Sequence, residues 1–109
     1  MTDDAKAQYN LGISYLRGEG VERDLEQAAY WVRLAAEQGI ADAQSTLGTS
    51  YYLGEGVEED HKQAVHWVRL AAEQGHAVAQ SDLGISYYLG EGVEKDLEQA
   101  AHWYGLAAE

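Results

Sequence analysis

One segment of 36 residues occurs three times along the chain, and this repetition restricts the fold more than any other feature. Leu11-Gly12, Leu47-Gly48 and Leu83-Gly84 form one column of it. The loops Gly18-Glu19-Gly20-Val21, Gly54-Glu55-Gly56-Val57 and Gly90-Glu91-Gly92-Val93 form the next, followed by Trp31, Trp67 and Trp103 and by Ala35-Ala36, Ala71-Ala72 and Ala107-Ala108. Residues 7–42 and 43–78 are identical at about two-thirds of their positions. A unit this short cannot bury its apolar face alone, so neighbouring copies must stack and share a continuous core. The 109 residues are therefore read as one repeat domain, 1–109, with units at about 5–40, 41–76 and 77–109.

Within each unit the apolar residues recur at three- and four-residue spacing and proline is absent, which predicts two helices joined by the glycine-bearing loop. Asp24 with Gln27, Asp60 with Gln63 and Asp96 with Gln99 fit capping boxes at the start of each second helix: the carboxylate takes a free N–H and the amide reaches back. Gly39 and Gly75 fit the left-handed residue that closes a helix. A glycine inside a helix costs about 1 kcal/mol relative to alanine. Gly12, Gly48 and Gly84 therefore imply close approach of the paired helix, with Ala28, Ala64 and Ala100 opposite and Trp31, Trp67 and Trp103 filling the wider space beside them. The expectation is all-α: an α-solenoid of three helix-turn-helix repeats.

A helical wheel at about 100° per residue places Ala7, Leu11, Ser14 and Tyr15 on one arc of the first helix, expected to pack on the second. The opposite arc, with its flanks, holds Tyr9, Asn10, Ile13 and Leu16 in the first repeat, Ser45, Thr46, Thr49 and Tyr52 in the second, and Ser81, Asp82, Ile85 and Tyr88 in the third. A face meeting only water would be polar, whereas tyrosine and isoleucine suit an interface. These twelve residues are the candidate partner-binding site, and they differ among repeats where the packing positions hardly do. The bland alternative is that the stripe buries against adjacent first helices. On the second helices, Glu26, Tyr30, Arg33 and Glu37, with Lys62, His66, Arg69 and Glu73, are expected to face solvent, Arg33 with Glu37 and Arg69 with Glu73 spaced for surface ion pairs.

Chemistry beyond binding finds little footing. With 19 acidic against 7 basic residues, a net charge of −12 repels phosphate backbones and anionic lipid, so neither nucleic acid nor membrane is an expected partner. No cysteine is available for a thiolate metal site or a thiol nucleophile. His61 and His66 lie about 140° apart on a helix and cannot share one ion as residues four apart do. His76 falls at a hairpin junction. No nucleophile elbow, Ser-x-x-Lys or phosphate loop is present, and Met1–Lys6 shows no targeting pattern. No catalytic residue, metal or cofactor is assigned.

The order Leu-Gly, Tyr, Gly-Glu-Gly-Val, Asp, Ala, Trp, Ala-Ala-Glu-Gln-Gly, Ala-Gln resembles the Sel-one-like repeat (SLR), a relative of the tetratricopeptide repeat, over nearly the whole chain. The resemblance implies a right-handed superhelix whose first helices line a concave face, and an adaptor that gathers other proteins. Some disulfide-rich proteins with related repeats have been associated with β-lactam binding or hydrolysis, but this chain departs from them in lacking every cysteine. Two functional readings follow. In one, a peptide or protein segment docks on the concave face. In the other, the chain is a structural or engineered array that self-associates through terminal repeats, with Trp103 and Leu106 expected to be left partly open and no polar cap beyond them.

Overall fold

The computed structural model describes residues 4–109, and Met1–Asp3, where the targeting reading begins, lie outside the described residues. Six helices follow in order: α1 (Ala5–Arg17), α2 (Leu25–Glu37), α3 (Ala41–Leu53), α4 (His61–Glu73), α5 (Ala77–Leu89) and α6 (Leu97–Ala108). Each packs chiefly on its neighbours in sequence, giving a stack 42 Å long and 25 × 22 Å across.

Asp24, Asp60 and Asp96 begin the second helices in extended conformation, each Oδ1 accepting two first-turn N–H groups at 3.1 Å. The expected return bond from Gln27, Gln63 and Gln99 is not formed. The capping residue's own N–H instead donates to the carbonyl of Tyr15, Tyr51 or Tyr87 at 2.9–3.0 Å, tying the second helix to the first across the loop. Asp60→Ala should therefore lower stability by about 1 kcal/mol in urea unfolding, with helicity retained.

Gly18, Gly54 and Gly90 end the first helices at φ of 70–72°, and Gly39 and Gly75 end the second at 93° and 91°. At the latter two, paired bonds to the carbonyls of the last turn, Gly39 N–H to Ala36 and Ile40 N–H to Ala35, close the helix as expected.

The close approach at the helix glycines is present: a Cβ on Gly12 would lie 2.6 Å from Val32 Cγ2, and one on Gly48 would collide with Val68 Cγ2. The expected Ala28 and Ala64 stand opposite Gly12 and Gly48 through their carbonyls, with Val32 and Val68 closest of all, while Gly84 faces the Tyr104 ring. Trp67 instead enters the core between repeats with Val32, Ala35, Ala36, Ala43 and Leu47, and Trp103 enters the next with Val65, Val68, Ala71, Ala72, Ala79 and Leu83. Each core thus joins one repeat's second helix to the following hairpin. That arrangement corrects the expected packing arc: Leu47 and Leu83 are wholly buried by belonging to these cores, whereas Leu11 is half-buried and Ala7 exposed.

Polar contacts repeat the same junction. Gln44 and Gln80, both buried, donate to the carbonyls of Ala36 and Ala72 at 3.2 Å, adding a side-chain donor from the next repeat to helix-end acceptors that also take the N–H of Gly39 and Gly75. Arg33 and Arg69 are half-buried instead of forming the expected ion pairs with Glu37 and Glu73. Each guanidinium lies 5.5 Å from the ring centre of Tyr51 or Tyr87 in the next repeat and donates to its hydroxyl. The planar cation gains a ring face and an acceptor there, which an exposed carboxylate cannot match.

Candidate partner-binding face

With a second helix wedged behind each pair, the first helices α1, α3 and α5 stand side by side with gaps between them. Two clefts open in these gaps. One, of about 300 Å³, lies between α3 and α5; Thr49, Tyr52, Leu53, Asp82, Ile85 and Ser86 form its sides, and Gly48, Ala64 and Val68 also line it. The other, of about 370 Å³, lies between α1 and α3 and reaches His76 and Val78 at the start of α5.

Of the twelve candidate residues, Tyr9, Leu16, Ser45, Thr46 and Thr49 line the α1/α3 cleft, and Thr49, Tyr52, Asp82 and Ile85 the α3/α5 cleft, so Thr49 belongs to both. Asn10, Ile13, Ser81 and Tyr88 line neither. Ser45 is a correction in degree: at 7% exposure it is nearly closed off. Tyr9 is half structural, its ring packed on the first inter-repeat core and its hydroxyl 3.5 Å from Thr46 Oγ1. Ile85 and Tyr88, by contrast, are 40% and 54% exposed.

Sequence reasoning also missed the second-helix residues that line the α3/α5 cleft, Ala64 and Val68. The glycine column was the available signal, because where Gly48 lets the hairpin close, the backing helix comes within reach of the surface.

Tyr52 is held from two sides. Its hydroxyl donates to Glu91 Oε1 at 2.5 Å and its ring stacks on His61 at 4.7 Å, while His61 Nε2 lies 3.0 Å from Glu59. The bond to Glu91, and then burial and the charges of Glu91 and Glu59, raise the phenol above its ordinary value. At the start of α5, His76 Nδ1 accepts from Ala79 N–H at 3.2 Å and Nε2 sits 2.8 Å from Asp42 Oδ1. The tautomer with hydrogen on Nε2 satisfies both contacts.

The charge on this face is one-signed in its later two-thirds. Asp42 is the sole charged residue within α3 and Asp82 the sole one within α5. Burial pushes the Asp82 carboxyl above its usual value, with His76 pulling weakly the other way. A raised folded value means that the unfolded chain ionises first, so Asp82 subtracts stability above pH 3.8 and the loss is relieved as pH falls through the folded value. Asp82→Asn should therefore raise the melting temperature at pH 7, and the gain over the parent should vanish near pH 3.

Among the described residues, no three His, Cys, Asp or Glu side chains are grouped to hold a metal ion, and no helix is long and apolar enough to cross a membrane.

Six helices among the described residues, paired as three successive hairpins with clefts between the first helices, define an α-solenoid of the helix-turn-helix repeat class. The chain belongs to the Sel1 repeat family, whose model matches residues 5–40, 41–76 and 77–109. Members of this family are generally protein-interaction modules. Among solved structures it is similar to a protective antigen present in uropathogenic Escherichia coli strains that displays an SLR fold, at 44% identity over 95% of this chain and a TM-score of 0.94. A Sel1 repeat protein from Oxalobacter formigenes is 43% identical over 96% of this chain, with a TM-score of 0.94. This chain spans 22% and 43% of the length of those two proteins. Helicobacter pylori cysteine rich protein B shares the fold at 22% identity and a TM-score of 0.80, covering 95% of this chain and 80% of its own. No curated protein sequence matches the chain.

Proposed function

We propose that the chain is a non-catalytic interaction module that holds a segment of another protein across α1, α3 and α5, seated over the two clefts. The observation that carries this reading is the exposure of Ile85, which lines the α3/α5 cleft, and of Tyr88 one turn further along α5, both left open to water. Open apolar and aromatic groups beside a concavity are what a docking segment can cover with gain. Thr49 and Asp82 supply polar contacts that set register.

Dodecapeptides selected from a displayed library on the folded chain provide the test. The double change Ile85→Ala with Tyr88→Ala should weaken the selected peptides about tenfold or more while leaving helicity intact, because both residues are exposed. Unchanged affinity would sink the reading. Tyr52→Ala is a poorer probe, since it also breaks the contacts to Glu91 and His61.

A further inference from the structure

Deepening the reading just given, and resting on it, we propose that the α3/α5 cleft seats a lysine or arginine of the docked segment, its stem against Val68 and Ile85 and its charge on Asp82. The cleft walls are chiefly apolar, and the carboxylate of Asp82 makes no hydrogen bond or ion pair among the described residues. The fold does not need a charge there: the equivalent positions in the other repeats are Asn10 and Thr46.

The alternatives fit less well. An apolar side chain would complete the desolvation of Asp82 and leave it unpaired, which is costly. A metal ion would want several ligands and finds one carboxylate. An acidic side chain would meet Asp82 and, at the rim, Glu91. A long cation satisfies each condition, because its methylenes suit the walls and its head supplies the partner that Asp82 lacks. Neither α3 nor α5 carries a lysine or arginine that could compete for the carboxylate, and the chain's net charge of −12 favours approach of a basic segment.

The test uses the same library-selected dodecapeptides, measured by calorimetry on the parent chain, on Asp82→Asn and on the Ile85→Ala/Tyr88→Ala variant. Asparagine should be tolerated, since a neutral residue already occupies this position in the other two repeats. Selected peptides are expected to share a lysine or arginine. Replacing that residue by norleucine, or Asp82 by asparagine, should each lower affinity about tenfold or more, and the two together should cost little beyond either alone. Peptides that lack a common basic residue and ignore Asp82→Asn, yet are lost on Ile85→Ala/Tyr88→Ala, would overturn the inference and leave the docking face standing. Failure to select any peptide, or peptides indifferent to both variants, would overturn the docking face and the inference with it.

Discussion

Replacing Trp67 by alanine should destabilise the protein by about 3–5 kcal/mol, a fall of roughly 15–20 °C in melting temperature for a chain of this size. The indole is 8% exposed and belongs to the core that joins the first repeat to the second, so its removal opens a cavity lined by side chains of α2 and α3 as well as α4. Its Nε1 is buried without a partner, as is that of Trp103, and losing this unpaired donor offsets part of the cost. Trp31, half-buried and outside both inter-repeat cores, should cost markedly less on the same change. Thermal unfolding followed by circular dichroism compares the two variants directly; equal losses would mean that the tryptophans act within their own hairpins.

Gly56→Ala should have an effect of similar size for a different reason. The residue sits at φ 75°, which disfavours any side chain by about 1–2 kcal/mol, and its Cα rests on the preceding repeat, where an added Cβ would run into the Leu25 carbonyl and lie 3.3 Å from Ala29 Cβ. The Leu25 backbone and the rotamer-free Ala29 Cβ leave nothing flexible to yield, so the loop must lift away from α2. Gly20 offers a control within the same chain: φ is 78°, but nothing lies within 4 Å of the added atom. Gly20→Ala should cost only the conformational part, and the difference between the two variants in urea unfolding measures the contact between repeats. If both lose the same amount, the loop glycine serves the turn alone.

Much of the architecture was readable because it is local. Helix starts at Asp24, Asp60 and Asp96 and left-handed ends at Gly39 and Gly75 depend on residues a few positions apart, and the tight crossing at Gly12 and Gly48 shows as an otherwise costly glycine. What stayed hidden depends on how one hairpin is rotated against the next. The arginines were placed in water because a wheel shows Glu37 and Glu73 one turn away, yet Tyr51 and Tyr87, eighteen residues on, stand closer in space. The sign was present as a recurring Arg/Tyr spacing, although no single-helix projection can display it. For the same reason the tryptophans were assigned to their own hairpin.

The candidate face followed the same division. The wheel put Ile85 and Tyr88 on an open arc, where they lie, but could not foresee that Ser45 would be nearly closed off or that Tyr52 would be fastened to Glu91 of the next repeat. Those outcomes are set by neighbouring units. Solvent exposure along α3 therefore reflects two junctions at once.

The two junctions share a set of contacts. Arg33 to Tyr51 becomes Arg69 to Tyr87, Gly56 over Leu25 becomes Gly92 over His61, and Gln44 to Ala36 becomes Gln80 to Ala72, each by a step of 36 residues. Duplicating a stretch of that length would create a new seam already furnished with these shared partners. Such a protein can lengthen by unequal crossing-over without first inventing a matching surface.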